Sequence, residues 1–428
     1  MRRDFLKWCV AAGLGLAVPS RSGSSLFADE KKELPAYDGP YFVVCNASGG
    51  WDTTALMDPK GVGDINRLYK EGDILTDGAL KFAPTAKHIS EGMSNEEFFA
   101  KYAKELLVLN GLDYSVNNHS PCSRYMATGN LDSLAYPTFA ALIAACRDRE
   151  APLSFLTFGN YSGTGNLVPM ARVPYINSLK LLANADAVHG IPQHQYHEAF
   201  VNDHIERALA EQQQRRKSSI RLPRKARADN MLYAAQWNSQ ALSRITPHIP
   251  KDIPKDSLSQ QAEIALASFK AGVCVSANLT IGQFDSHQKN DRDQMKLIPN
   301  LLASIDYLLR RAEDLKIREK LVLVIQSEMG RTPTYNKGDG KDHWSIGSIM
   351  FLGPGIQGNR VIGATDKGQF AVPLNPKTLQ ADAENGIRVR PEHIHTALRA
   401  LTGITKHPSA ELFPFKIPPA ETLQGLWG

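Results

Sequence analysis

The sequence predicts an α/β fold in which a mostly parallel sheet is flanked by helices. Leu321-Val-Leu-Val-Ile325 is a run of five apolar residues, mostly branched, as in a strand buried on both faces. Tyr41-Phe-Val-Val-Cys-Asn46-Ala47 and Val273-Cys-Val-Ser-Ala-Asn-Leu-Thr-Ile281 have the same character. Between them lie helical patterns, such as Leu297, Leu301, Ile305 and Leu308 at helical spacing. Open α/β sheets place their chemistry at the carboxyl ends of such strands.

Composition bounds the class. A chain of 428 residues accommodates one large domain or two smaller ones. Apolar content of 43% and charged content of 22% are those of an ordinary soluble globular protein. A formal charge of +5 makes no case for nucleic acid as a partner.

Arg2-Arg3-Asp4-Phe5-Leu6-Lys7, the apolar run Trp8 to Val18 and a small-residue segment ending at Ala28 resemble a twin-arginine export signal. The run is too short to remain as a membrane span. Residues 1–28 are therefore expected to be removed after passage through the twin-arginine translocase. That leaves a periplasmic or exported domain over 40–428. Cys45, Cys122, Cys146 and Cys274 remain, an even number in a compartment that permits disulfides. Cys45 and Cys274 sit in strand-like runs and read as small buried hydrophobes.

The first strand runs into Ser48-Gly49-Gly50-Trp51-Asp52. Two glycines permit a tight turn, and Asp52 is either a metal ligand or a helix N-cap. Residues 96–105 read as a helix and 106–110 as a strand. Asn117 to Gly129 follows, with Pro121 in a first helical turn and Ser120 as its N-cap. His119 and Ser120 then stand at a helix N-terminus, where N–H groups favour an anion. Another helix spans 137–146 and another strand 153–158. The glycine-containing loop 159–165 lacks the Lys and spacing of a P-loop.

Residues from about 176 to 260 read as an all-helical insertion. It carries a solvated basic run (Arg215 to Arg227) and the surface histidines His189, His194, His197 and His204. The α/β pattern resumes with a helix over 261–270 and the strand ending at Ile281. Its exit is Gly282-Gln283-Phe284-Asp285-Ser286-His287-Gln288. The strand ending at Ile325 exits through Ser327-Glu328-Met329-Gly330-Arg331-Thr332-Pro333, followed by Asp342-His343-Trp344. Short strands over 349–353 and 361–362 and a helix over 393–401 close the domain. Separate strand exits thus carry Asp52, Asp285 with His287, Glu328, and Asp342 with His343. Carboxylates and neutral imidazoles are the usual ligands of a divalent ion, zinc first, with calcium, manganese or magnesium as alternatives.

Gly49-Gly50-Trp51-Asp52, Phe284 to Gln288, Ser327 to Pro333, Asp342-His343-Trp344 and Val361 to Asp366 resemble the family known as domain of unknown function 1501. That family is similar to the alkaline phosphatase and sulfatase superfamily. The resemblance implies an alkaline-phosphatase-like three-layer sandwich interrupted by the helical insertion. It makes Asp52 similar to the superfamily's first-strand metal ligand, Asp285 and His287 to its central ligands, and His343 to its late histidine. Glu328 stands where an Asp-His pair is usual, with Met329 in the histidine position, so a second ion's ligand set is short. The nucleophile position, Ser, Thr or Cys in active relatives, falls on His119, with Ser120 adjacent. Arg331 is the remaining candidate catalytic group. Cys122 has Arg124 two residues on, which disfavours a formylglycine sulfatase. The implied function is exported, metal-dependent hydrolysis of a phosphate or sulfate ester on a small molecule or polysaccharide. The alternative is a non-catalytic exported protein on the same fold, binding a polysaccharide or a protein partner at the cell envelope.

Overall fold

The computed structural model describes residues 36–148, 151–159, 161–184, 186–188, 191–217 and 241–428. The export signal expected over 1–28, His189 and the basic residues Arg221, Arg224, Lys225 and Arg227 lie outside them.

The chain opens with β1 (Tyr41–Ala47), α1 (Asn95–Tyr102), β2 (Leu107–Asp113), α2 (His119–Thr128) and α3 (Phe139–Arg147). β3 (Phe155–Thr157) and β4 (Met170–Ala171) lead into α4 (Ile176–Ala183) and α5 (Ala199–Lys217). The second half runs α6 (Ser257–Lys270), β5 (Ser276–Ile281), α7 (Asn290–Asp314), β6 (Leu321–Gln326), β7 (Ile346–Leu352), β8 (Arg360–Ile362) and α8 (Pro391–Leu401). These strands form one eight-stranded sheet in the order β8-β2-β7-β6-β1-β5-β3-β4. All neighbours pair in parallel except β7, which is antiparallel to both β6 and β2.

Alternation along the strands divides the core into two layers. Tyr41, Val43 and Cys45 of β1 join Leu321, Leu323 and Ile325 of β6 under α1, α6 and α7. Phe42, Val44, Val322 and Val324 face the other way, against α2, α3 and α8. Successive side chains of a strand point to opposite faces, so two apolar layers need two helical covers. The three-layer α/β sandwich expected from the sequence is what forms.

Strand order explains why distant segments meet. β1 lies between β6 and β5 with all three parallel, so their exits emerge side by side at one edge. Antiparallel β7 starts at that edge, just after His343. β2, antiparallel to β7, ends there at Asp113, opposite Ile346, and feeds the turn before His119.

Two expectations need correction. The N-cap of α2 is Asn118, whose Oδ1 accepts from Ser120 N at 3.4 Å, so His119 and not Pro121 begins the helix. The insertion is not wholly helical: Ala187–Val188 pairs with Ile191–Gln195 in a short hairpin between α4 and α5. Among the described residues Cys45, Cys122, Cys146 and Cys274 are free, and Cys45 and Cys274 are buried as small apolar side chains, as their strand-like runs suggested.

Candidate metal centre

At the shared strand edge, Asp285, His287 and His343 form a triangle of donor atoms. Asp285 Oδ1 lies 3.0 Å from His287 Nε2 and 3.2 Å from His343 Nε2. The two Nε2 atoms are 3.1 Å apart. The opposite nitrogen of each imidazole is tied outward. His287 Nδ1 donates to Asp342 Oδ1 at 2.8 Å and His343 Nδ1 to the Asn117 carbonyl at 3.0 Å. A carbonyl only accepts, so the His343 proton sits on Nδ1 and its Nε2 turns a lone pair inward. The ionised Asp342 imposes the same tautomer on His287. Three lone-pair atoms facing one point repel unless a cation lies among them.

His119 stands at the edge of this triangle. Its Nε2 is 3.3 Å from Asp285 Oδ2 and its Nδ1 is 3.0 Å from Glu328 Oε1. His119, Asp285 and His343 each offer a ligating atom within 4.8 Å of the others. Glu328 is nearly buried, and the same Oε1 accepts from Gly49 N at 2.7 Å. The Glu328 hydrogen bond raises the His119 pKa above the ordinary histidine value, more than burial lowers it. Burial pushes the Asp285 carboxyl up, but the hydrogen bond and charge of Arg331, ahead of the neighbouring imidazoles, hold it down to about 2. Asp342 is also held below the usual carboxylate range, first by His287 and then by Asn336.

Two sequence features make this packing possible. Gly49 adopts φ +121°, and a Cβ there would sit 2.5 Å from Asp285 N. Only glycine lets the β1 exit pass so close to the loop that bears Asp285. Arg331, whose side chain is fully buried, bonds the Gly49 and Gly50 carbonyls, the Lys341 carbonyl and Asp285 Oδ1. It therefore ties three loops together, with every one of these bonds made inside the protein.

Asp52, Ser120 and Met329 stand apart. Asp52 Oδ2 accepts from Lys341 Nζ at 2.7 Å and Asn290 Nδ2 at 2.9 Å. Its Oδ1 takes Thr54 N at 3.1 Å and Thr54 Oγ1 at 2.6 Å. Four donors fill the carboxylate's lone-pair positions, and Lys341 is wholly buried beside it. Burial raises the Asp52 pKa, but the Lys341 charge and hydrogen bonds lower it further, below the usual carboxylate value. The N-cap alternative is met as well, since Asp52 caps the short turn Thr53–Ala55. Ser120 is exposed, and among the described residues its hydroxyl bonds no member of the cluster. Met329 packs in the apolar layer under α2, α3 and α8.

The residues that sequence reasoning missed are Lys341 and Asn117. A lysine in Gly338-Asp-Gly-Lys341 reads as solvated, and Asn117 acts through its carbonyl, which no side-chain pattern reveals.

A family model described as protein of unknown function (DUF1501) matches residues 174–407. No curated protein matches the sequence. Among solved structures, Ps i-CgsB superposes with a TM-score of 0.41 at 9% identity, covering 91% of this chain and 75% of that one. The PsFucS1 sulfatase from Pseudoalteromonas sp. gives 0.35 at 12% identity, covering 87% and 69%. A magnesium-bound mutant of TAB5 alkaline phosphatase gives 0.34 at 8% identity, covering 86% and 99%.

Proposed function

The chain belongs to the DUF1501 family of proteins of unknown function, and we propose that this member is an exported, metal-dependent hydrolase of phosphate or sulfate esters carried by a small molecule or polysaccharide. The carrying observation is the donor triangle of Asp285 Oδ1, His287 Nε2 and His343 Nε2, with edges of 3.0–3.2 Å. Ligands about 2 Å from a tetrahedral zinc lie roughly 3.3 Å from one another, so the donor set fits such an ion with little movement. Asp342 and the Asn117 carbonyl would orient the imidazoles from behind, as carboxylates and carbonyls do around metal-bound histidines. Asp285, His287 and His119 are each more than a third exposed at the side chain, which suits a reacting centre better than a closed structural one.

One ion is the favoured count. Asp52 is saturated by Lys341, Glu328 is engaged by His119 and Gly49, and Met329 offers no imidazole. A divalent ion held by Asp285, His287 and His343 would supply Lewis-acid polarisation of a phosphoryl or sulfuryl oxygen. Glu328 would hold the His119 imidazole through Nδ1, leaving Nε2 to carry a proton to or from the reacting group. Arg331 would keep Asp285 ionised and in place.

The binding alternative has its own support. Among the described residues no side-chain hydroxyl contacts His119, His287 or His343, and the Ser327 hydroxyl, 3.4 Å from Glu328 Oε2, is buried and donates to the Ala47 carbonyl at 2.6 Å.

Metal analysis of the mature protein, followed by assay on p-nitrophenyl phosphate and p-nitrophenyl sulfate, tests the reading. We expect about one zinc or similar ion per chain and measurable turnover. Both should be lost in His287→Ala. Bound metal with no turnover on any ester transfers the lead to the binding function; no bound metal overturns both the ion and the chemistry built on it.

A further inference from the structure

Away from the His–Asp cluster, a pocket opens at the carboxyl end of β3, and none of the cluster lines it. Its volume is about 460 Å³, within the roughly 300–1,000 Å³ usual for small-molecule sites. Thr157 from the end of β3, Phe158, Arg172, Tyr175, Lys255 and the first turn of α6 form its walls.

Its charge is one-sided. Arg172 and Lys255 are its charged groups, and no carboxylate lines it. Arg172 spends Nη2 on the Gly159 carbonyl at 2.8 Å and Ser162 Oγ at 3.0 Å. Among the described residues neither cation meets an acidic group. The nearest in sequence, Asp256, is exposed but engaged as the N-cap of α6, where Oδ1 accepts from Ser259 N at 2.7 Å and Ser304 Oγ at 2.9 Å.

The remaining walls specify more than an anion. Thr157 is fully buried, yet its hydroxyl has no hydrogen-bond partner among the described residues. Such an orphan is rare unless a ligand or solvent completes it. Tyr175 is 67% exposed and Phe158 half-buried, giving aromatic surface beside the cations. Gln261 is locked by Thr280, accepting from its N at 2.8 Å and donating to its O at 2.9 Å, so the wall behind is rigid.

We propose that this pocket is a second ligand site, for an anionic monosaccharide unit: a pyranose ring bearing a carboxylate, sulfate or phosphate. The oxyanion pairs with Arg172 and Lys255 at the head of α6. A ring hydroxyl completes Thr157 Oγ1, and an apolar ring face lies on Tyr175. The site is independent of whether the His–Asp cluster hydrolyses anything.

Calorimetric titration of the mature protein tests this, with galacturonate, galactose 6-sulfate, glucose 6-phosphate and neutral galactose as probes. At least one anionic sugar should bind, and bind equally after metal chelation, while galactose binds at least about tenfold more weakly. Arg172→Gln with Lys255→Gln should weaken the anionic sugar by about tenfold or more, since each removes a charge-assisted hydrogen bond. Thr157→Val should weaken it several-fold. Both cation positions are on the surface, so that double variant folds even if Thr157→Val does not. The proposal is overturned if no anionic sugar binds at millimolar concentration, if galactose binds as well, if the double variant binds unchanged, or if chelation abolishes binding.

Discussion

Lys341 Nζ lies 2.7 Å from Asp52 Oδ2, and neither side chain reaches solvent to any useful extent. The two are joined across 289 residues of chain. An ammonium group thus occupies the position beside the Asp52 carboxylate that a ligated cation would take. The ion pair also fixes the loop that presents Asp342 and His343.

Removing Lys341 alone would strand the Asp52 charge in the interior. Lys341→Met should destabilise the protein by about 3–5 kcal/mol, and Lys341→Met combined with Asp52→Asn should recover a large part of that loss. Urea unfolding of the two variants measures both. Asp52→Asn should still bind one ion; loss of the metal in that variant would make Asp52 a ligand after all. Because the folded Asp52 pKa is depressed, its stabilisation is present above the unfolded carboxylate value. It fades as pH falls below that value toward the folded one.

Asp342 and His287 should separate by role. His287→Ala removes a ligand and is expected to abolish metal binding. Asp342→Asn removes only the carboxylate behind His287 and should weaken affinity by about 10–100-fold. Competition with a chromophoric chelator reads both. Equal losses in the two variants would place Asp342 in direct contact with the ion.

His119 is expected to matter for turnover and Ser120 is not. His119→Ala should lower ester hydrolysis by about 10²–10⁴-fold, the usual size of a general acid–base contribution. Ser120→Ala should leave it within about twofold, with metal content unchanged in both. A Ser120→Ala variant as inactive as His119→Ala would point to a nucleophile that the present geometry leaves unactivated.

Acid sensitivity should trace to a residue far in sequence from the cluster. His395 is fully buried, with Nε2 donating to the Met126 carbonyl at 2.8 Å. Burial drives its pKa down to about 4, against the weaker opposing effect of that bond. Between that value and the ordinary 6.5 the unfolded chain binds a proton that the folded one refuses. Stability therefore falls as pH drops through this window, by about 3 kcal/mol in all. Unfolding free energies at pH 7 and pH 4.5 should differ less in His395→Gln than in the parent.

Export can be tested without structure. Replacing Arg2 and Arg3 with lysine should hold the precursor in the cytoplasm if the twin-arginine route is used. Periplasmic delivery at the parental level would refute the assignment.

Sequence alone determined the sheet and the addresses of the chemistry. The apolar runs at 41–47, 273–281 and 321–325 read as strands buried on both faces, and the structure forms strands at Tyr41–Ala47, Ser276–Ile281 and Leu321–Gln326. Acidic and imidazole residues just past those strands followed from where open α/β sheets expose their loops. Roles within that set were decided by tertiary structure. Whether Asp52 ligates a metal depends on Lys341 arriving from a distant loop to neutralise it. His119 differs from Ser120 because only the histidine reaches both Glu328 and Asp285. Arg331 became internal because the glycine-lined exit of β1 left two carbonyls within its reach. Hydrogen bonds and ion pairs act over about 3–4 Å. Their assignment therefore rests on which loops the sheet order sets side by side, and no local pattern in the chain encodes that order.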